Sequence, residues 1–127
     1  MKELLISLSI IFIHWLADFV FQTDEMARGK SKNFSDLVYH TTVYSLVWLI
    51  TIPIITYFDN IEQYTVKYIL FVAITFLIHT FTDYFTSRIN AKLWEQKKVH
   101  NFFVSVGFDQ FLHYLQLFLT YYFLFKF

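Results

Sequence analysis

Residues 3–22 read ELLISLSIIFIHWLADFVFQ, an apolar run into which His14-Trp-Leu-Ala-Asp18 sets an imidazole and a carboxylate four positions apart. About twenty mostly apolar residues suffice for a helix to cross roughly 30 Å of hydrocarbon. Residues four apart share one helical face, with Cβ atoms about 5–6 Å from each other. The stretch therefore predicts a transmembrane helix that carries a polar pair in one direction. Lys2 followed by an apolar run also imitates a signal peptide. No small-residue cleavage motif follows, and His14 and Asp18 suit no signal sequence, so a retained first span is expected.

Composition extends this reading to the whole chain. Of 127 residues, 57% are hydrophobic and 16% charged, too apolar for an ordinary soluble domain. Seventeen Phe exceed what a small soluble fold hides from water. With no Cys, disulfides, thiolate metal sites and thiol nucleophiles are excluded. The formal net charge of zero gives no bulk attraction to nucleic acid, and none is expected as a partner.

Three further stretches match the first: 37–58, 64–87 and 101–125. Period-2 alternation is absent, and backbone groups in lipid are satisfied internally, so the spans are helices. The expected fold is all-α, an integral membrane four-helix bundle in one domain over residues 1–127. Pro53 inside the second span predicts a kink there. Arg28, Lys30, Lys32, Arg88, Lys92, Lys97 and Lys98 lie on the side of the first and third loops, against Lys2, Lys67 and Lys126 opposite. The positive-inside rule then turns both termini outward and puts the long loops in the cytoplasm, in a multi-pass protein of the inner membrane.

Within the third loop, Ile89, Leu93 and Trp94 fall near one face between basic residues, as in a short helix lying on an anionic leaflet. Tyr57, Tyr64, Tyr68, Tyr121 and Tyr122 suit an aromatic belt on the outer side. Gly29-Lys30-Ser31 imitates a phosphate loop, but the upstream glycine and preceding strand are missing.

Spans one and three share a pattern, His14-x3-Asp18-Phe19 and His79-x3-Asp83-Tyr84, each Asp lying near the same span end. Spans two and four return from that side with His40 and with Asp109/His113. Two repeated helical hairpins, related by an axis along the membrane normal, follow. Each ionised Asp in a span costs on the order of 3 kcal/mol. Imidazolium partners, a wet cavity or bound cations can offset that cost. His–Asp hydrogen bonds between helices return only about 0.6 kcal/mol each, so a purely structural network is a weak offset.

His and carboxylate are the ligand set of zinc, manganese or iron, and helix bundles build such sites from facing helices. His14, Asp18, His79, Asp83, Asp109 and His113, with His40 as a seventh, can hold two divalent ions. Gln22 and Gln110 are expected to orient carboxylates from behind, and Tyr44 lies one turn beyond His40. Gly107 near Asp109 offers close helix approach or substrate space. His100 reads as interfacial.

The combined pattern His14-x3-Asp18-Phe19-x2-Gln22, His40, His79-x3-Asp83 and Asp109-Gln110-x2-His113 resembles a family of uncharacterised small membrane proteins of bacteria and phages, a domain of unknown function. That resemblance implies a four-helix architecture and no activity. The His-x3-Asp motifs are also similar to those of inner-membrane metal-dependent hydrolases. This implies the six paired residues as ligands and a lipid-like substrate. The functional expectation is an intramembrane His/Asp metal site near the cytoplasmic face of a hydrolase acting on a lipid or phospho-lipid. Two alternatives stand beside it: a proton or divalent-ion transporter or channel subunit, for which a homo-oligomer is needed, and a structural protein held by a buried polar network.

Overall fold

A computed structural model describes residues 1–62 and 65–127. Among these, α1 (Lys2–Trp15) runs into a π-helical turn (Leu16–Val20), followed by α2 (Asp24–Gly29), α3 (Phe34–Phe58), α4 (Thr65–Glu95), α5 (Val99–Tyr121) and a second π turn (Tyr122–Lys126). No strand occurs among the described residues, and the all-α expectation holds. Lys2–Val20, Phe34–Phe58 and Thr65–Glu95 are long and apolar enough to cross a membrane.

Local chemistry sets the boundaries. The Thr23 hydroxyl caps α2 by accepting the Met26 amide at 3.2 Å, and Asn33 caps α3 by accepting that of Ser35 at 3.1 Å. Between them, Gly29 is required by space rather than by its φ. A Cβ there would collide with the Asp36 carboxylate, so the missing side chain lets α2 fold back on the start of α3. Asn60 turns the chain after α3 with a φ of 59°, a conformation Asn tolerates well. Pro53 lies inside α3, which continues to Phe58.

The third loop departs from expectation. No separate surface helix forms over residues 88–99; α4 runs on through Arg88 to Glu95, making 31 residues. At about 1.5 Å per residue that is about 46 Å, longer than any hydrocarbon core. The reason is local: residues 84–95 contain neither Gly nor Pro to stop the helix. The reversal is left to Gln96–Lys98, where Lys97 takes a φ of 56°.

The buried stripes of these helices change character along their length. At one end Ile6, Ile10, Trp48, Ile52, Phe71, Leu117 and Phe125 form an apolar core, with the Trp48 and Phe71 ring centroids 5.6 Å apart. Further along the same stripes stand His14, Asp18, His40, His79, Asp83, Asp109 and His113, all buried. The outward faces are the reverse. Phe12, Ile50, Leu77, Phe81, Phe103, Val104 and Phe108 are all more than half exposed.

The tyrosines expected in an interfacial belt are not all exposed. Tyr57 and Tyr122 are exposed, whereas Tyr68 and Tyr121 are buried, and Tyr64 lies outside the described residues. The two buried rings are held by hydroxyl contacts: Tyr68 with Thr56 at 2.9 Å, and Tyr121 donating to Asp59 at 2.5 Å. Lys126 and Lys2 also reach Asp59, at 2.6 and 3.1 Å, so this carboxylate ties both chain ends to the α3–α4 turn. Burial pushes the Asp59 carboxyl up, but Lys126, Tyr121 and Lys2 together hold it below its ordinary value.

Candidate metal centre

The His-x3-Asp spacing delivers each pair to one face, but the shorter contacts run between helices. Within the pairs the nitrogen–oxygen separations are 3.8 Å for His14/Asp18, 3.6 Å for His79/Asp83 and 3.3 Å for Asp109/His113. His40 of α3 meets Asp18 at 3.1 Å, and His113 of α5 meets Asp83 of α4 at 3.1 Å. Each hairpin thus closes one His–Asp contact of its own.

Two groups of potential ligands result. Asp18, His40, His79 and Asp83 present one atom each within 4.8 Å of one another, and so do Asp83, Asp109 and His113. These buried His/Asp groups can bind a metal ion. In the first group, His40 Nε2 lies 3.3 Å from His79 Nε2, 3.1 Å from Asp18 Oδ1 and 3.4 Å from Asp83 Oδ2. His79 Nε2 lies 3.4 and 3.6 Å from the same two oxygens. Asp83 joins the groups by turning its other oxygen, Oδ1, to His113. Its carboxylate therefore faces both.

His14 stands apart from both groups because its ring nitrogens are engaged. Nδ1 is 2.8 Å from the Tyr44 hydroxyl and Nε2 is 2.8 Å from Gln110 Oε1. The Gln110 amide donates to Asp18 Oδ2 at 3.1 Å and to Asp109 Oδ2 at 3.2 Å, which fixes its nitrogen toward the carboxylates. Its oxygen then accepts from His14 Nε2, and in a neutral ring Nδ1 accepts from Tyr44. Gln110 thus bridges the Asp18 and Asp109 carboxylates, and Tyr44 meets the His14 ring rather than His40. Tyr44 also stacks on His79 at 3.9 Å, and His79 on His113 at 4.1 Å. Thr86 adds a donor to Asp109 Oδ1 at 2.6 Å.

Lys30 reads in the sequence as a loop cation, not as a member of the cluster. Its ammonium enters from the α2–α3 connection and donates to Asp83 Oδ2 at 2.9 Å. Burial favours the neutral amine, but Asp83 and then Asp18 outweigh it and raise Lys30 above its ordinary value. A lone loop lysine offers no periodic signal, and the fold-back that Gly29 permits is visible only in the structure.

Asp18, Asp109 and Gln110 floor a cavity of about 650 Å³ between the α2 segment, the end of α4 and the start of α5. Gln22 lies in its wall rather than on the ligands, and Gly107 has no neighbour within 4 Å of where a Cβ would stand. Close helix approach therefore does not explain Gly107. His100 is exposed, as an interfacial residue would be. A second, largely apolar groove of about 680 Å³ lies away from the cluster, between α1 and α3.

An all-helical chain with apolar outer faces and a buried His/Asp cluster is the class that fold and site define. The model of a protein family of unknown function, DUF3307, matches residues 4–127, and the chain belongs to that family. No curated protein and no solved structure matches it.

Proposed function

We propose that the chain is a four-helix integral membrane protein with a two-ion metal site near its cytoplasmic face, acting as a metal-dependent hydrolase on a lipid or phospho-lipid. The first ligand group carries this reading. A tetrahedral ion bound at about 2.0–2.1 Å sets its ligands about 3.3–3.4 Å apart. The five separations among Asp18, His40, His79 and Asp83 given above run from 3.1 to 3.6 Å. Four protein ligands make that position closed. Asp83, Asp109 and His113 supply three, the number that leaves a fourth position for water or substrate. Asp109 borders the cavity, so the open position faces the route of entry. A second ion there would supply an activated water and a clamp on a phosphoryl oxygen.

Placement in a membrane rests on polarity turned inside out. The fourth long helix, α5, carries His113, Gln116 and Asp109 inward while Phe103, Val104, Phe108, Phe111 and Leu119 are exposed. Its average apolarity is lowered by the face that lipid never meets. Buried ionisable residues with an apolar exterior mark function in membrane proteins.

Elemental analysis of protein purified in detergent without chelator tests the reading. Two zinc, manganese or iron ions per chain are expected, falling to one in Asp109→Asn. Metal-free protein with unchanged stability would return the cluster to a structural polar network. Release of a water-soluble headgroup from vesicles by the metal-loaded protein, abolished in Asp109→Asn, separates a hydrolase from an ion-conducting subunit.

A further inference from the structure

The cavity above the cluster has two unlike walls. Arg28 and Lys32 are exposed at one side, and Lys30 reaches from there to Asp83. Trp94, Phe102 and Phe103 form the other, with the Trp94 and Phe102 rings 5.0 Å apart. Between them lie three buried polar atoms without a hydrogen-bond partner: Gln22 Oε1, Ser87 Oγ and Asn90 Oδ1. A buried polar atom left unmet is costly, so these atoms favour an occupant of the cavity that can supply hydrogen-bond partners.

Each wall asks for different chemistry. A phosphodiester offers acceptors only, which suits the cations Arg28 and Lys32. Gln22 Oε1 and Asn90 Oδ1 are acceptors and call for donors, which hydroxyl groups provide. The aromatic wall continues the apolar exterior at Phe103, where a hydrocarbon chain can lie. A space of about 650 Å³ is that of a small ligand or headgroup.

From this we infer that the cavity binds the headgroup of an anionic phospholipid whose phosphodiester carries a hydroxylated alcohol. Its phosphate lies against Arg28 and Lys32, its hydroxyls at Gln22 and Asn90, and its chains outside along Phe103. The inference names the substrate class of the site above and rests on that membrane reading, though not on metal being bound.

Trp94 fluorescence of the full chain in detergent, with Trp94→Phe as blank, reports occupancy. Dihexanoyl phosphatidylglycerol should saturate the signal. Dihexanoyl phosphatidylcholine and the hydroxyl-free phosphatidylmethanol should each bind at least tenfold more weakly, as should free glycerol phosphate. Arg28→Gln with Lys32→Gln, both exposed and so safe for folding, should weaken phosphatidylglycerol at least tenfold, and Asn90→Leu should erase its advantage over phosphatidylmethanol. Equal binding of the choline lipid, or indifference to the charge variants, overturns the inference. Glycerol phosphate binding as tightly as the lipid overturns the lipid assignment in favour of a soluble phosphate ester. Metal content measured on the same samples keeps the readings apart: metal without lipid discrimination sinks this inference alone, and discrimination without metal sinks the hydrolase alone.

Discussion

Replacing Asp83 with Asn should damage stability and metal binding together, and a second change should separate the two. The Asp83 carboxylate receives Lys30 at 2.9 Å and His113 at 3.1 Å, with His40 at 3.4 Å. Removing one partner of a buried ion pair costs about 3–5 kcal/mol, because the remaining charge is stranded. Asp18 still attracts the Lys30 ammonium, so the lower end applies. About 3 kcal/mol corresponds to roughly a hundredfold in the folding equilibrium. Adding Lys30→Met removes the stranded charge, and the double variant should regain most of that loss. Metal should not return, since Asp83 serves both ligand groups. Unfolding in mixed micelles of chelated protein gives the stability, and elemental analysis of unchelated protein gives the metal. Unchanged stability in Asp83→Asn, or no recovery in the double variant, refutes the electrostatic reasoning. Wild-type metal content in the double variant refutes Asp83 as the shared ligand.

Tyr44→Phe removes the hydroxyl from His14 Nδ1, leaving a buried nitrogen unmet at a cost of about 1–3 kcal/mol. Unfolding midpoints should fall, while the number of bound ions stays unchanged. Gly29→Ala drives a methyl group into Asp36 and should cost about 1–3 kcal/mol by overpacking. The same change should draw Lys30 off Asp83, seen as an altered Lys30 ammonium signal by NMR. Asp59 has its carboxyl lowered below the ordinary 3.8. Its contribution is therefore complete above that value and is lost as the pH falls through the lower folded value. Wild type should be more stable than Asp59→Asn at pH 7, and the difference should close in strong acid. A gap that widens on acidification would contradict the sign.

The helices and their buried faces were legible because apolar length and four-residue spacing report directly on which atoms face inward. His40 has its acid four positions before it, Asp36, and Tyr44 four after; its reach to Asp18 is legible only as a depth match. His14 looked like the equal of His79 because spacing cannot tell which nitrogen a neighbouring helix engages; Tyr44 and Gln110 decide that. The π turn at Leu16–Val20, where Phe21 N reaches Leu16 O at 2.9 Å, carries Asp18 and left no mark in the pattern. Such turns recur at functional sites. Lys30 reads in the sequence as a loop charge and as part of a phosphate-loop imitation, yet it enters the cluster. Its place depends on the tertiary path of α2, which no local period encodes.

The hairpin-by-hairpin pairing of the cluster bears on how the protein is made. Asp18 finds His40 within the N-terminal hairpin, and Asp83 finds His113 within the C-terminal one. On the membrane placement proposed above, a nascent chain entering the bilayer two helices at a time can shield each of these carboxylates before the other half exists. The contacts joining the halves, His40 with His79 and Gln110 with Asp18, form only when the hairpins meet. Under that placement the two halves neutralise their own carboxylates first, and the contacts between them report completed assembly.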